Sequence, residues 1–289
     1  MAILPSSEFS YACPGDAIWR RGLIRCVERI TGKPRLWRLY ETCRREHADD
    51  DFFSEAVRCL DLRVRATAAG PAAFPAEGAL IVVANHPLGV VDGIVIGHLI
   101  AQVRDDFRIL VHSALCRLPE PRRHLLPIDF SNTRQAQRTN LETRQAALRD
   151  LADQRAIVIF PGGGVATARH PLSQAQDLAW KTFLARLVHK GQATVLPVFI
   201  EGQSSRLFQC ASRISMELRA SLLFGEAVKT IGREIGVHVG SPIPYARLRA
   251  MTDRRVLTEH LRRETFALRP APSPRIRLDG RRRMGRARG

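Results

Sequence analysis

The stretch Asn85-His86-Pro87-Leu88-Gly89-Val90-Val91-Asp92-Gly93 holds the residue types and spacing best suited to chemistry. A neutral imidazole takes a proton from a hydroxyl, and a carboxylate behind it fixes the tautomer and stabilises the imidazolium. His86 is therefore a candidate general base and Asp92 its orienting acid. The same residues also suit a strand-to-helix loop in which His86 is merely hydrogen-bonded and Asp92 caps a helix. On spacing alone both readings stand. A second candidate is Phe160-Pro161-Gly162-Gly163-Gly164. Glycines at a strand end let backbone N–H groups come close to an anion or a substrate oxygen. This run is neither G-x-x-x-x-G-K-S/T nor G-x-G-x-x-G, so it gives nucleotide binding no support.

Both stretches need elements that aim them. An apolar run from Ala79 to Ala84 leads into His86, and another, Ile94 to Ile100, leads out. They predict a strand followed by a buried helix from about Asp92. Further strands are expected at Phe107–Val111, at Ala156–Phe160 running straight into the glycines, and at Thr194–Ile200, broken by Pro197. Helices are expected over 132–151 and 180–190. Strands alternating with helices predict an α/β fold, a mainly parallel mixed sheet flanked by helices.

Ahead of the sheet, residues 16–66 read as helices. Ile18, Trp19, Leu23, Cys26, Val27 and Ile30 recur at helical spacing, and Gly32-Lys33-Pro34 ends that helix. Arg20, Arg21, Arg25, Arg29, Arg35 and Arg38 lie between the apolar positions of this region. A basic face edged with Trp suits the headgroup region of a bilayer; a solvated basic face on a core-packed helix is the alternative. The expected division is an N-terminal helical segment over 1–70, with a candidate membrane-surface face, an α/β domain over 71–268, and a disordered, Arg-rich tail over 269–289.

Composition narrows the partners. The 289 residues are 45% apolar and 25% charged, ordinary for a folded protein, but the net charge is +17. Such an excess favours anionic partners: nucleic acid, anionic lipid or an acidic carrier protein. Six scattered cysteines, without a C-x-x-C pair or zinc-finger spacing, are expected to be reduced and mostly buried in a cytoplasmic protein, with no structural metal. Met1–Gly15 lacks the pattern of a signal peptide. The longest apolar stretch, Ala79–Ile100, is interrupted by Asn85, His86, Pro87 and Asp92 and would span a membrane poorly. Contact with the inner face of the cell membrane is expected from the surface.

The order of the motifs is more telling than any one of them. Asn85-His86-Pro87-Leu88-Gly89 with Asp92-Gly93 is followed by Leu115-Cys116-Arg117-Leu118-Pro119-Glu120, Pro127-Ile128-Asp129, Phe160-Pro161-Gly162-Gly163, Gly202-Gln203-Ser204 and Val239-Gly240-Ser241-Pro242-Ile243. From about residue 20 to 245 this series resembles the glycerolipid and lysophospholipid acyltransferase family, in its bacterial hemolysin-related branch. The resemblance implies acyl transfer from a thioester, on acyl-CoA or acyl carrier protein, to a hydroxyl of a lysophospholipid-like or other lysolipid, lyso-ornithine lipid included. It implies no other cofactor and no specific nucleic acid. His86 would deprotonate the acceptor and Asp92 would orient it. Asn85, Gly89, Arg117, Phe160, Pro161, Gly163, Thr167 and Arg169 would line the substrate site. Backbone donors near Gly163 would hold the oxyanion or the polar head, and Arg117 a phosphate or carboxylate.

Two departures qualify the match. Five residues separate His86 from Asp92 where the wider family has four, and Gly89 is expected to absorb the extra one. Gly162 stands where the wider family has Glu, with Thr167 and Arg169 as nearby substitutes. Two other classes fit the same residues: a non-catalytic lipid- or nucleic-acid-binding protein on this fold, and a thioester hydrolase in which His86 activates water.

Overall fold

In a computed structural model, residues 18–46, 51–67, 70–168, 173–209 and 216–271 are described. The tail call of 269–289 therefore falls almost wholly outside the described residues. Seven strands form one sheet: β1 (Arg63–Ala66), β2 (Leu80–Ala84), β3 (Phe107–His112), β4 (Leu125–Ile128), β5 (Ala156–Ile159), β6 (Thr194–Ile200) and β7 (Glu234–Val239). Their order is β1-β7-β6-β2-β5-β3-β4. All neighbours are parallel except β6 and β7. The α/β fold with a mainly parallel mixed sheet is thus observed.

The central strand explains why the sequence reads as a continuous apolar run. Leu80, Val82 and Ala84 of β2 point into one core and Ile81 and Val83 into the other, so every position is buried. On the first face lie α3 (Phe52–Cys59) and α4 (Val90–Ala101); on the second lie α5 (Arg134–Ala152), α6 (Phe183–Gly191) and a C-terminal helix, Arg254–Ala267. The ring of Phe53 occupies the space that a side chain at Gly97 would need, which seats α3 directly on α4.

The N-terminal region departs from the expectation in one place. α1 (Ile18–Thr31) and α2 (Lys33–Glu46) are helices, and Gly32, at φ 120°, breaks between them. Within the stretch read as helical, however, Arg63–Ala66 pairs with β7. Four residues carry too little periodicity to separate a strand from a helix end. The last long helix before β7, α7 (Met216–Thr230), packs against α1, with Gly225 allowing close approach to Thr31.

The cysteines also differ from expectation. Cys43 of α2 and Cys59 of α3 form a disulfide, with Cα atoms 6.2 Å apart, so they are not free thiols. Two scattered positions on different helices reveal nothing of their proximity until α2 folds onto α3. Cys26 is exposed and Cys116 half-buried, where burial pushes its thiol up to about 11. Cys13 and Cys210 lie outside the described residues.

Candidate active site

The carboxyl ends of β2, β5 and β6 meet at one place, where a doubly covered parallel sheet characteristically holds its ligand. β2 ends at Ala84, and the next residue locks the corner. The buried Asn85 side chain donates to the Ile200 carbonyl (2.9 Å) and accepts from the Ile200 N–H (2.7 Å), extending the β2–β6 ladder by a side chain. The loop that follows is pinned on both flanks. Ala166 N–H donates to the His86 carbonyl (2.7 Å), and the Ser204 hydroxyl to the Pro87 carbonyl (2.7 Å).

His86 Nδ1 lies 2.8 Å from Asp92 Oδ2. Gly89 makes the contact possible across five intervening residues. At φ 74° it turns the chain back, so that Leu88 N–H and Gly89 N–H, each at 2.9 Å, donate to the same carboxylate oxygen. Asp92 sits in the first turn of α4 and is fully buried. Burial pushes its carboxyl above the usual range, opposed by the hydrogen bonds from His86 and the two amides. The imidazole stacks on Phe160, centroids 4.4 Å apart, and its side chain is 18% exposed. Carboxylate contact at Nδ1 presents Nε2 to whatever enters.

A second acidic residue, unremarked in the sequence, completes the environment. Asp177 Oδ1 accepts the His86 backbone N–H (3.1 Å), and its Oδ2 accepts the Trp180 indole N–H (3.0 Å). Burial pushes its carboxyl up, opposed by those donors and by the nearby imidazole. Thr167 and Gln176 exchange backbone hydrogen bonds, closing the intervening loop and returning Asp177 to His86. The two partners stand 91 positions apart, and no motif marks an Asp in such a loop.

The remaining expected residues fall out unequally. Phe160 and Pro161 are buried beside the base. Gly163, at φ 68°, makes the turn, but its N–H donates to the Phe160 carbonyl (2.9 Å). That amide is thus closed within the turn instead of facing a substrate, a correction to its expected use. Thr167 is engaged through its backbone in the loop closure, and Arg169 lies outside the described residues. Arg117 is exposed and lies between two residues, Leu115 and Leu118, that line an apolar cavity.

This cavity has a volume of about 170 Å3. Val90, Gly93 and Ile94 of α4 form one wall, and Leu39, Phe53 and Leu118 are among the residues of the others. Asp92 belongs to the same turn of helix as Val90 and Gly93. The turn of α4 that carries Asp92 thus also walls an apolar space.

Residues 43–272 match a family described as acyltransferase. The chain belongs to that family. It is an O-acyltransferase, so the non-catalytic reading gives way. Among curated proteins, it is 26% identical over 203 residues to the lyso-glycine lipid O-acyltransferase of Phocaeicola vulgatus, covering 68% of this chain and 69% of the relative. It is 25% identical over 203 residues to the lyso-glycine lipid O-acyltransferase of Bacteroides thetaiotaomicron, covering 68% and 71%. A solved structure, the 1-acyl-sn-glycerophosphate acyltransferase PlsC from Thermotoga maritima, is similar at TM-score 0.49 and 15% identity, over 86% of this chain and 79% of that one.

Proposed function

We propose that this acyltransferase moves a fatty acyl group from a thioester, on acyl-CoA or acyl carrier protein, to the free hydroxyl of a lysolipid. The observation that carries the reading is the His86–Asp92 contact at 2.8 Å, with Asp92 on the same turn of α4 that walls the apolar cavity. His86 Nε2 takes the hydroxyl proton as the acceptor oxygen attacks the thioester carbonyl. The tetrahedral intermediate collapses to the ester, and the departing thiolate takes the proton back from the imidazolium. No covalent acyl-enzyme is needed. Asp92 holds the Nδ1–H tautomer and stabilises the imidazolium, and the acyl chain occupies the cavity lined by α4.

The relatives' names favour an amino-acid lysolipid of glycine type as acceptor. Such a lipid, joined through the amino acid's amine, keeps its α-carboxylate. A membrane-surface setting is supported by α1. Trp19, Leu23, Cys26 and Ile30, spaced by three and four residues, are exposed together, with Ile18 alongside and Arg25 and Arg29 exposed on the same helix. No helix among the described residues is long and apolar enough to cross a membrane.

Purified protein incubated with labelled acyl-CoA or acyl carrier protein and a panel of lysolipids tests this directly. Labelled diacyl product is expected. Release of free fatty acid alone would replace transfer by hydrolysis, and no turnover with any donor would refute the reading.

A further inference from the structure

Beyond Phe160, whose ring stacks on His86, a lysine stands over the glycine turn. Lys181 N–H donates to the Pro161 carbonyl (3.0 Å), fixing this residue next to Phe160, whose ring stacks on the base. The side chain then runs across the turn itself: a Cβ at Gly163 would lie 2.7 Å from Lys181 Nζ and 3.1 Å from Cε. Only glycine at 163, with its positive φ and no side chain, leaves that room. The ammonium also lies 5.5 Å from the centroid of the Phe130 ring, which is 45% exposed. Among the described residues Lys181 makes no ion pair with a carboxylate. His112 also packs on the Phe130 ring, centroids 5.6 Å apart, and burial lowers its pKa, with Asp129 and Arg117 the charged groups acting on it.

We propose that Lys181 binds the anionic headgroup, a carboxylate or phosphate, of the acceptor lipid. This rests on the lysolipid reading above. In a lysolipid the headgroup charge lies a few bonds from the free hydroxyl, so a hydroxyl held at His86 Nε2 brings the anion over the adjacent turn. In acyl-CoA and acyl carrier protein the phosphates are a whole pantetheine arm from the thioester. A charged donor pairing with the anion also orients the acceptor, with its acyl chain leaving toward lipid.

The test compares a short-chain lyso-glycine lipid as free acid and as methyl ester, on the full chain and on Lys181→Gln and Lys181→Arg. Calorimetric binding and two-substrate kinetics are both read. Lys181→Gln is expected to weaken binding of the free acid about tenfold and to raise its KM alike, with kcat, donor KM and ester binding within about twofold; Arg restores most of the loss. Equal weakening of acid and ester, or no change in either, overturns the proposal. A rise confined to the KM of acyl-CoA also overturns it and gives the ammonium to the donor's phosphates. Failure of the lysolipid reading looks different: the unmodified protein then transfers no acyl group to any lysolipid.

Discussion

Two histidine–carboxylate pairs stand at the same end of the sheet. In one, His86 Nδ1 meets Asp92 at 2.8 Å; in the other, His238 Nε2 of β7 meets Glu201, just past β6, at 2.6 Å. Both imidazoles are 18% exposed, so accessibility does not separate them. The carboxylates do. Asp92 is fully buried and holds two backbone amides as well as the ring, whereas Glu201 is 35% exposed and shares Arg65 at 3.7 Å with a surface network that includes Glu234. The nitrogen used matters as much. Contact at Nδ1 leaves the outer Nε2 of His86 for a substrate, but the outer nitrogen of His238 is already on Glu201. A short His–carboxylate distance therefore does not define a base. Under the proposed mechanism, the burial of the acid and the ring nitrogen it takes are what separate the two pairs.

The contrast can be broken experimentally. The largest effect is expected from His86→Ala, which should lower acyl transfer about a thousandfold while circular dichroism and the melting curve stay near those of the unmodified protein. Asp92→Asn should cost about a hundredfold in kcat, because the ring loses its fixed tautomer and its counter-charge. Asp177→Asn should cost less, about fivefold, since an amide oxygen still accepts the His86 N–H. It carries a second signature. A buried carboxyl whose ionisation is pushed up adds nothing to stability below its unfolded pKa. It penalises the fold increasingly as pH rises toward and past the folded value. Relative to the unmodified protein, Asp177→Asn should therefore melt at a higher temperature at pH 8 than it does at pH 4, as scanning calorimetry would show. The smallest effect belongs to His238→Ala. It should leave transfer within about twofold, because it disturbs only a partly exposed pair. A large loss in that variant would erase the distinction between the two pairs.

The sequence made one of these pairs visible and hid the other, for physical reasons. His86 and Asp92 belong to one loop and one helix start, so their meeting depends on local geometry: a strand, a glycine at positive φ and a first helical turn. The apolar run of β2 and the glycines after β5 likewise announce themselves through burial and turn chemistry. Asp177 and Lys181 reach the site only through tertiary contacts across loops, and neither sits in a pattern that distinguishes it from other polar loop residues. β1 was hidden for the same reason, since its partner β7 lies far along the chain, and the Cys43–Cys59 link depends on α2 folding onto α3. The Gly163 amide shows the opposite error. Its type and place suggested an exposed donor, and the turn it forms uses that donor up.

Chemical rescue tests the assignment of the base most directly. Acyl transfer by His86→Gly is measured with and without free imidazole, at saturating thioester and lysolipid. The account predicts transfer near background without imidazole and a rate that climbs with imidazole concentration, as the free base enters the vacated site. Transfer by His86→Gly at the unmodified rate in the absence of imidazole would contradict it.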